Sequence, residues 1–171
     1  AGVHAITDVT GFGLAGHALE LGRGAGLGVT IRWSKVPILP GVTELAQNGF
    51  VTGASGRNWA GYGVEVLLDG TLPPVARDLL SDPQTSGGLL VSCTPESVKE
   101  VIAVFRSQGF DVAAPIVTME RRRHSARTVL SGTPRMKLNA GTQSSMSASI
   151  WSATRGALVR AYAGGSTSNS R

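Results

Sequence analysis

Thr7-Asp8-Val9-Thr10-Gly11-Phe12-Gly13-Leu14 and Asp82-Pro83-Gln84-Thr85-Ser86-Gly87-Gly88-Leu89-Leu90 are the stretches that decide the fold. Each sets a polar, glycine-rich turn against an apolar run. The first predicts a strand passing into a helix, the second a helix passing into a strand. Such turns bring backbone N–H groups near an anion, with a carboxylate at hand for a cation. Asp8 closes the strand-like run Val3-His4-Ala5-Ile6. Two roles stay open for it: an oxygen ligand for Mg2+, or a carboxylate at a helix start, which spacing alone favours. One Asp does not complete a Mg2+ site, so further ligands have to come from elsewhere.

Outward from these stretches, strands and helices alternate. Residues 3–9 predict a strand and 12–23 a helix, with Leu14, Ala18, Leu19 and Leu21 on its apolar face. Residues 27–33 alternate as a half-buried strand does. Pro37 and Pro40 frame a turn before a short helix over 42–47. Residues 50–61, rich in Gly, Ser and Asn, predict a loop, and 62–68 a strand. Pro73-Pro74 opens a helix through Leu80. After the Asp82 loop come a strand over 88–93 and the clearest helix. Thr94 is its expected N-cap and Pro95 its first residue, and Val98, Val101, Ile102 and Phe105 repeat at helical spacing. Residues 111–117 predict a last strand. The expectation is an α/β (α+β) domain, a mixed β-sheet layered with α-helices.

Charge divides the chain. Residues 1–117 carry seven bases and ten acids, net −3, whereas 118–171 carry nine bases and one acid, net +8. The sequence pI near 10.1 therefore belongs to the tail. The expected division is a domain over 1–117 and a basic Ser/Arg/Gly-rich tail over 118–171. The tail is expected to be disordered apart from a short helix over 150–162. Arg121-Arg122-Arg123-His124 lacks aromatic interleaving, so a solvated tail is favoured over nucleic-acid contact. No apolar run approaches the ~20 residues that span a bilayer. The single Cys93 excludes an internal disulfide and fits a reducing, cytoplasmic setting. Its apolar strand predicts a buried, inert thiol. A chain starting at Ala1 is expected to be a piece of something longer.

Three further patterns bear on chemistry. Gly11-Phe12-Gly13-Leu14-Ala15-Gly16 matches G-x-G-x-x-G, but Arg32, not an acid, stands at the end of the second strand. This leaves a weak NADP-binding oxidoreductase reading beside plain strand–helix packing. Gln84, Thr85, Ser86, Gly87 and Gly88 offer an amide, two hydroxyls and unobstructed N–H groups, suited to phosphate or to an ordinary tight turn. His4, His17 and His124 lack metal-ligand spacing, so core or surface roles are their default; for His17, one helical turn after Gly13, facing the same pocket is the alternative.

Asp8 to His17, then Pro37-Ile38-Leu39-Pro40-Gly41, Gly53-Ala54-Ser55-Gly56-Arg57-Asn58 and Asp82 to Leu90, in that order, resemble selenophosphate synthetase (selenide, water dikinase) over residues 1–117. The similarity is to that family's C-terminal domain, shared in fold with aminoimidazole ribonucleotide synthetase. It implies synthesis of selenophosphate from selenide, ATP and water, with AMP and phosphate as the other products and Mg2+ as cofactor. It implies that Asp8 is a metal ligand and that Thr10, Gly11, Gln84, Thr85 and Ser86 border the substrate pocket. It implies a homodimeric enzyme whose N-terminal domain carries the catalytic residues and most of the ATP site, so no catalytic residue lies in this chain and the chain alone is inactive. The tail departs from the family pattern and resembles either out-of-frame translation or a genuine extension. A stand-alone nucleotide- or phosphate-binding module is the alternative reading.

Overall fold

Leu90 and Val91 are adjacent, both buried, and belong to different cores. Successive side chains of a strand point to opposite faces, so this strand carries a helical layer on each side. In the computed structural model, residues 2–85, 87–121, 128–131 and 147–152 are described. The strands are β1 (Val3–Asp8), β2 (Leu27–Arg32), β3 (Val66–Leu68), β4 (Leu89–Cys93), β5 (Ala114–Arg121), β6 (Thr128–Ser131) and β7 (Ser147–Ser152). The helices are α1 (Gly13–Ala25), α2 (Val42–Gln47), α3 (Gly53–Tyr62), α4 (Ala76–Ser81) and α5 (Val98–Ser107).

The strands form one seven-stranded sheet in the order β1-β4-β7-β5-β2-β6-β3. β6 runs parallel to β2 and β3; the other pairings are antiparallel. The expected mixed sheet layered with helices is what forms. On the Leu90 face, Leu14, Ala15, Ala18 and Leu19 of α1 meet Ile31, Ile116 and Met119, joined by Tyr62 and Leu80. On the other face Val98, Val101, Ile102 and Phe105 of α5 cover Val91 and Cys93. Cys93 is fully buried, as expected, and burial pushes its thiol pKa up.

Three expectations change. Residues 53–62 are helix, not loop: Thr52 caps α3 by accepting the Ser55 N–H at 3.2 Å, and the chain reaches extended β3 only at Val66. The last strand of the body begins at Ala114 and runs on to Arg121. In the tail, Thr128–Ser131 and Ser147–Ser152 are strands, where disorder, and helix from residue 150, were expected. β7 lies between β4 and β5, a pairing with residues more than 25 positions away that local periodicity does not register. The expected helix over 153–162 lies outside the described residues.

The G-x-G-x-x-G pattern serves packing. A dinucleotide fold needs parallel neighbouring strands around its first helix. Here three strands separate β1 from β2. Gly13 has φ +69°, and a Cβ there would lie 2.7 Å from the Ser81 carbonyl carbon. Arg32 is committed as well, donating from Nη2 to the Pro115 carbonyl at 2.9 Å.

Gly13→Ala is expected to cost about 1–3 kcal/mol, combining left-handed strain with backbone contact. Gly24→Ala, in the same helix with open space around it, should stabilise by about 0.4–1 kcal/mol. Urea unfolding of the two variants checks the opposite signs.

Candidate functional site

β1 stops pairing where the two glycine-rich loops meet. Asp8 faces Leu89 across the ladder, and the Val9 N–H donates to the Gly88 carbonyl at 2.9 Å. The Thr10 carbonyl then accepts from Gln84 N–H and Gly13 N–H, each at 3.0 Å. Gly87 lies so close that a Cβ there would fall 1.8 Å from the Val9 carbonyl oxygen. The loops are thus locked backbone to backbone.

One face of α3 ties the same loops together. Ser55, Asn58 and Tyr62 are spaced three and four apart, the spacing of neighbours on a helix surface. Asn58 Nδ2 donates to the Gly11 carbonyl at 2.8 Å and the Ser81 carbonyl at 2.9 Å. Tyr62 donates from its hydroxyl to the Phe12 carbonyl at 2.7 Å, and burial pushes its pKa up to about 12. Ser55 Oγ donates to Asp82 Oδ1 at 3.0 Å and Thr52 Oγ1 to the same oxygen at 2.8 Å. Gln84 Nε2 sits 3.1 Å from the Asp82 carbonyl and 3.3 Å from Oδ2.

Asp82 is 3% exposed, and the three donors around it are neutral. Burial raises its pKa above the usual carboxylate range, and the Thr52, Ser55 and Gln84 hydrogen bonds oppose that rise. Thr52, Ser55, Asn58, Tyr62 and Asp82 were not among the sequence-predicted site residues. The i, i+3, i+7 spacing was the available signal, hidden by the glycines of residues 53–61.

The predicted residues divide. Asp8 is exposed, and its carboxylate makes no hydrogen bond or ion pair among the described residues. It does not cap a helix, because α1 begins five residues later at Gly13. Thr10, Gly11 and Gln84 sit at the loop junction. Thr85 is exposed beside it, and Ser86 lies outside the described residues. Among the described residues no three His, Cys, Asp or Glu side chains cluster to hold a metal.

An apolar pocket of about 40 Å³ adjoins the junction, lined by Val9, Leu14, Trp33, Ile38, Leu80 and Gln84. Its volume is that of a few water molecules, too small for a nucleotide. A groove of about 360 Å³ runs between Pro37–Pro40 and Gly109–Val112, with Asp111 its sole charged lining residue. No helix among the described residues is long and apolar enough to cross a membrane.

The chain matches the family described as AIR synthase related protein, C-terminal domain, over residues 1–129. It is 61% identical over 118 residues to selenide, water dikinase of Burkholderia pseudomallei (strain K96243), covering 69% of this chain and 33% of that protein. The protein of the same name from Pseudomonas straminea is 60% identical over 119 residues, 70% of this chain and 33% of the relative. That of Rhizobium meliloti (strain 1021) is 52% identical over 116 residues, 68% and 33%. The chain spans about a third of the length of these curated relatives.

Asp82 binds its proton more tightly folded than unfolded, so its contribution to stability is greatest at low pH and declines as pH rises above about 4. The stability of the wild type relative to Asp82→Asn should therefore fall as pH increases from that value, measured by urea unfolding across pH. Asn58→Asp keeps the shape but turns a carboxylate toward two carbonyls. It should destabilise more than Asn58→Ala, which leaves the carbonyls about 1–3 kcal/mol short of partners.

Proposed function

The chain belongs to the AIR synthase related family, as its C-terminal domain, and from that membership we propose that it is the C-terminal part of an ATP-dependent selenophosphate synthetase. The complete enzyme converts selenide, ATP and water into selenophosphate, AMP and phosphate. Identity near 60% to relatives named selenide, water dikinase supports this reading. The observation that carries it is the Asp8 carboxylate, exposed and uncommitted among the described residues, at the edge of two interlocked glycine-rich loops.

In this reading Asp8 supplies one carboxylate to Mg2+, and the other ligands come from the remainder of the enzyme. When bound, Mg2+ offsets phosphate charge during phosphoryl transfer. Thr10, Gly11, Gln84, Thr85 and Ser86 border the substrate pocket. Gln84 is held rather than swinging, because its N–H is spent on Thr10 and its amide on Asp82. Positioning is the chief protein contribution to phosphoryl transfer, and a domain that fixes two loops against each other suits that role. No catalytic residue is assigned to this chain, which is inactive alone. The complete protein is a cytoplasmic homodimer in the same reading.

The test is 31P NMR of ATP and selenide incubated with the complete protein and with the 171-residue chain. AMP and selenophosphate are expected from the first and neither from the second. Asp8→Asn in the complete protein should raise the Mg2+ concentration for half-maximal rate by about tenfold or more, a loss of ~1.4 kcal/mol. Nucleotide binding by the chain alone, lost in Asp8→Asn, with no AMP from the complete protein, would replace the synthetase reading with a binding module.

A further inference from the structure

His17 is 6% exposed on a stretch of α1 otherwise made of Leu, Ala and Gly. Its Nε2 lies 3.0 Å from the Thr10 amide nitrogen and 3.3 Å from Thr10 Oγ1. A backbone N–H only donates, so Nε2 carries no proton and the neutral ring is protonated at Nδ1. The Thr10 hydroxyl, facing that same lone pair, is then a donor too. Nδ1 points along the helix toward Glu20, 3.1 Å from Oε2, within reach but too poorly aligned for a formed hydrogen bond. A carboxylate on that side favours the Nδ1–H tautomer.

We infer that His17 is a positioning residue that acts through Thr10, setting the turn between Asp8 and Gly13 and fixing the direction of the Thr10 hydroxyl. Thr10 lies two residues past the last β1–β4 pair, and its N–H meets no backbone acceptor among the described residues. His17 supplies the acceptor. The Thr10 carbonyl is taken by Gly13 and Gln84, so both polar ends of the residue are fixed. The consequence is chemical. The hydroxyl turns its proton toward the same Nε2 lone pair that the N–H uses, so its own lone pairs face a ligand. Thr10 thus receives a hydrogen-bond donor or a cation, such as Mg2+ or its bound water, and not a bare phosphate oxygen. The ligand class rests on the synthetase reading of the site; the tautomer and the Thr10 contact do not.

The first test is 15N NMR of the 171-residue chain at pH 8. The expected result is a proton on Nδ1 and none on Nε2 of His17. The Thr10 amide should also exchange more slowly than that of Gly11, whose N–H has no acceptor among the described residues. A proton on Nε2, or a Thr10 amide exchanging as fast as that of Gly11, overturns the inference. The second test is kinetic, in the complete protein. His17→Phe keeps the ring but removes the acceptor, and should lower kcat by about tenfold or more with the KM for ATP changed less than about twofold. His17→Gln restores an acceptor and should recover most of that loss. His17→Phe with wild-type kcat overturns the positioning role. If the wild-type complete protein forms no AMP, the synthetase reading fails, while the NMR result still decides the tautomer and the Thr10 contact.

Discussion

The backbone bonds between Val9-Thr10 and Gln84–Gly88 are the constraint from which the rest of the site follows. They join segments more than 70 residues apart at the end of one strand pair, so β1 and β4 act as a single frame for both glycine-rich loops. Gly87 is required there by space, since a side chain would occupy the Val9 carbonyl. Gly13 is required by backbone conformation and by contact with Ser81. With these contacts made, neither loop can move without dragging the sheet or α1 along.

α3 gives the frame its second fixing. Its face of Ser55, Asn58 and Tyr62 reaches Asp82, the Gly11 and Ser81 carbonyls, and Phe12 in turn. Asn58 donates both hydrogens of one amide to two different loops, so a single side chain reports their relative position. Asp82 collects donors from Thr52, Ser55 and Gln84 and is buried without a cation among them. A buried carboxylate of this kind is expensive alone and tolerable only when its oxygens are hydrogen-bonded. Three donors from two segments meet that condition, and in doing so fix α3 to the Gln84 loop.

The division of labour in the proposed enzyme fits this rigidity. Among the described residues the pocket beside the junction is apolar and of about 40 Å³. The domain presents an exposed carboxylate at Asp8 and a set of fixed loop groups. In the proposed synthetase the other ligands and the reacting groups would come from outside this chain, which spans about a third of the relatives' length. Preorganised groups lower a barrier without further reorganisation, and that is the contribution the proposed synthetase would draw from these loops.

Much of this was legible in the sequence. Apolar spacing gave α1 and α5, the run over 88–93 gave β4 with its buried Cys93, and the glycine-rich patterns marked the two loops as turns between a strand and a helix. These readings rest on periods and turn chemistry within a dozen residues, which the chain fixes wherever it folds. Legible only in part were residues 53–62, whose glycines read as loop, and the tail segments 128–131 and 147–152, whose strands need distant partners. The sheet order, the Thr52 and Ser55 donors on Asp82 and the Asn58 bridge were decided by tertiary structure alone. Each depends on groups brought together across the chain, and a hydrogen bond needs its partners within about 3 Å, a distance that sequence spacing does not specify.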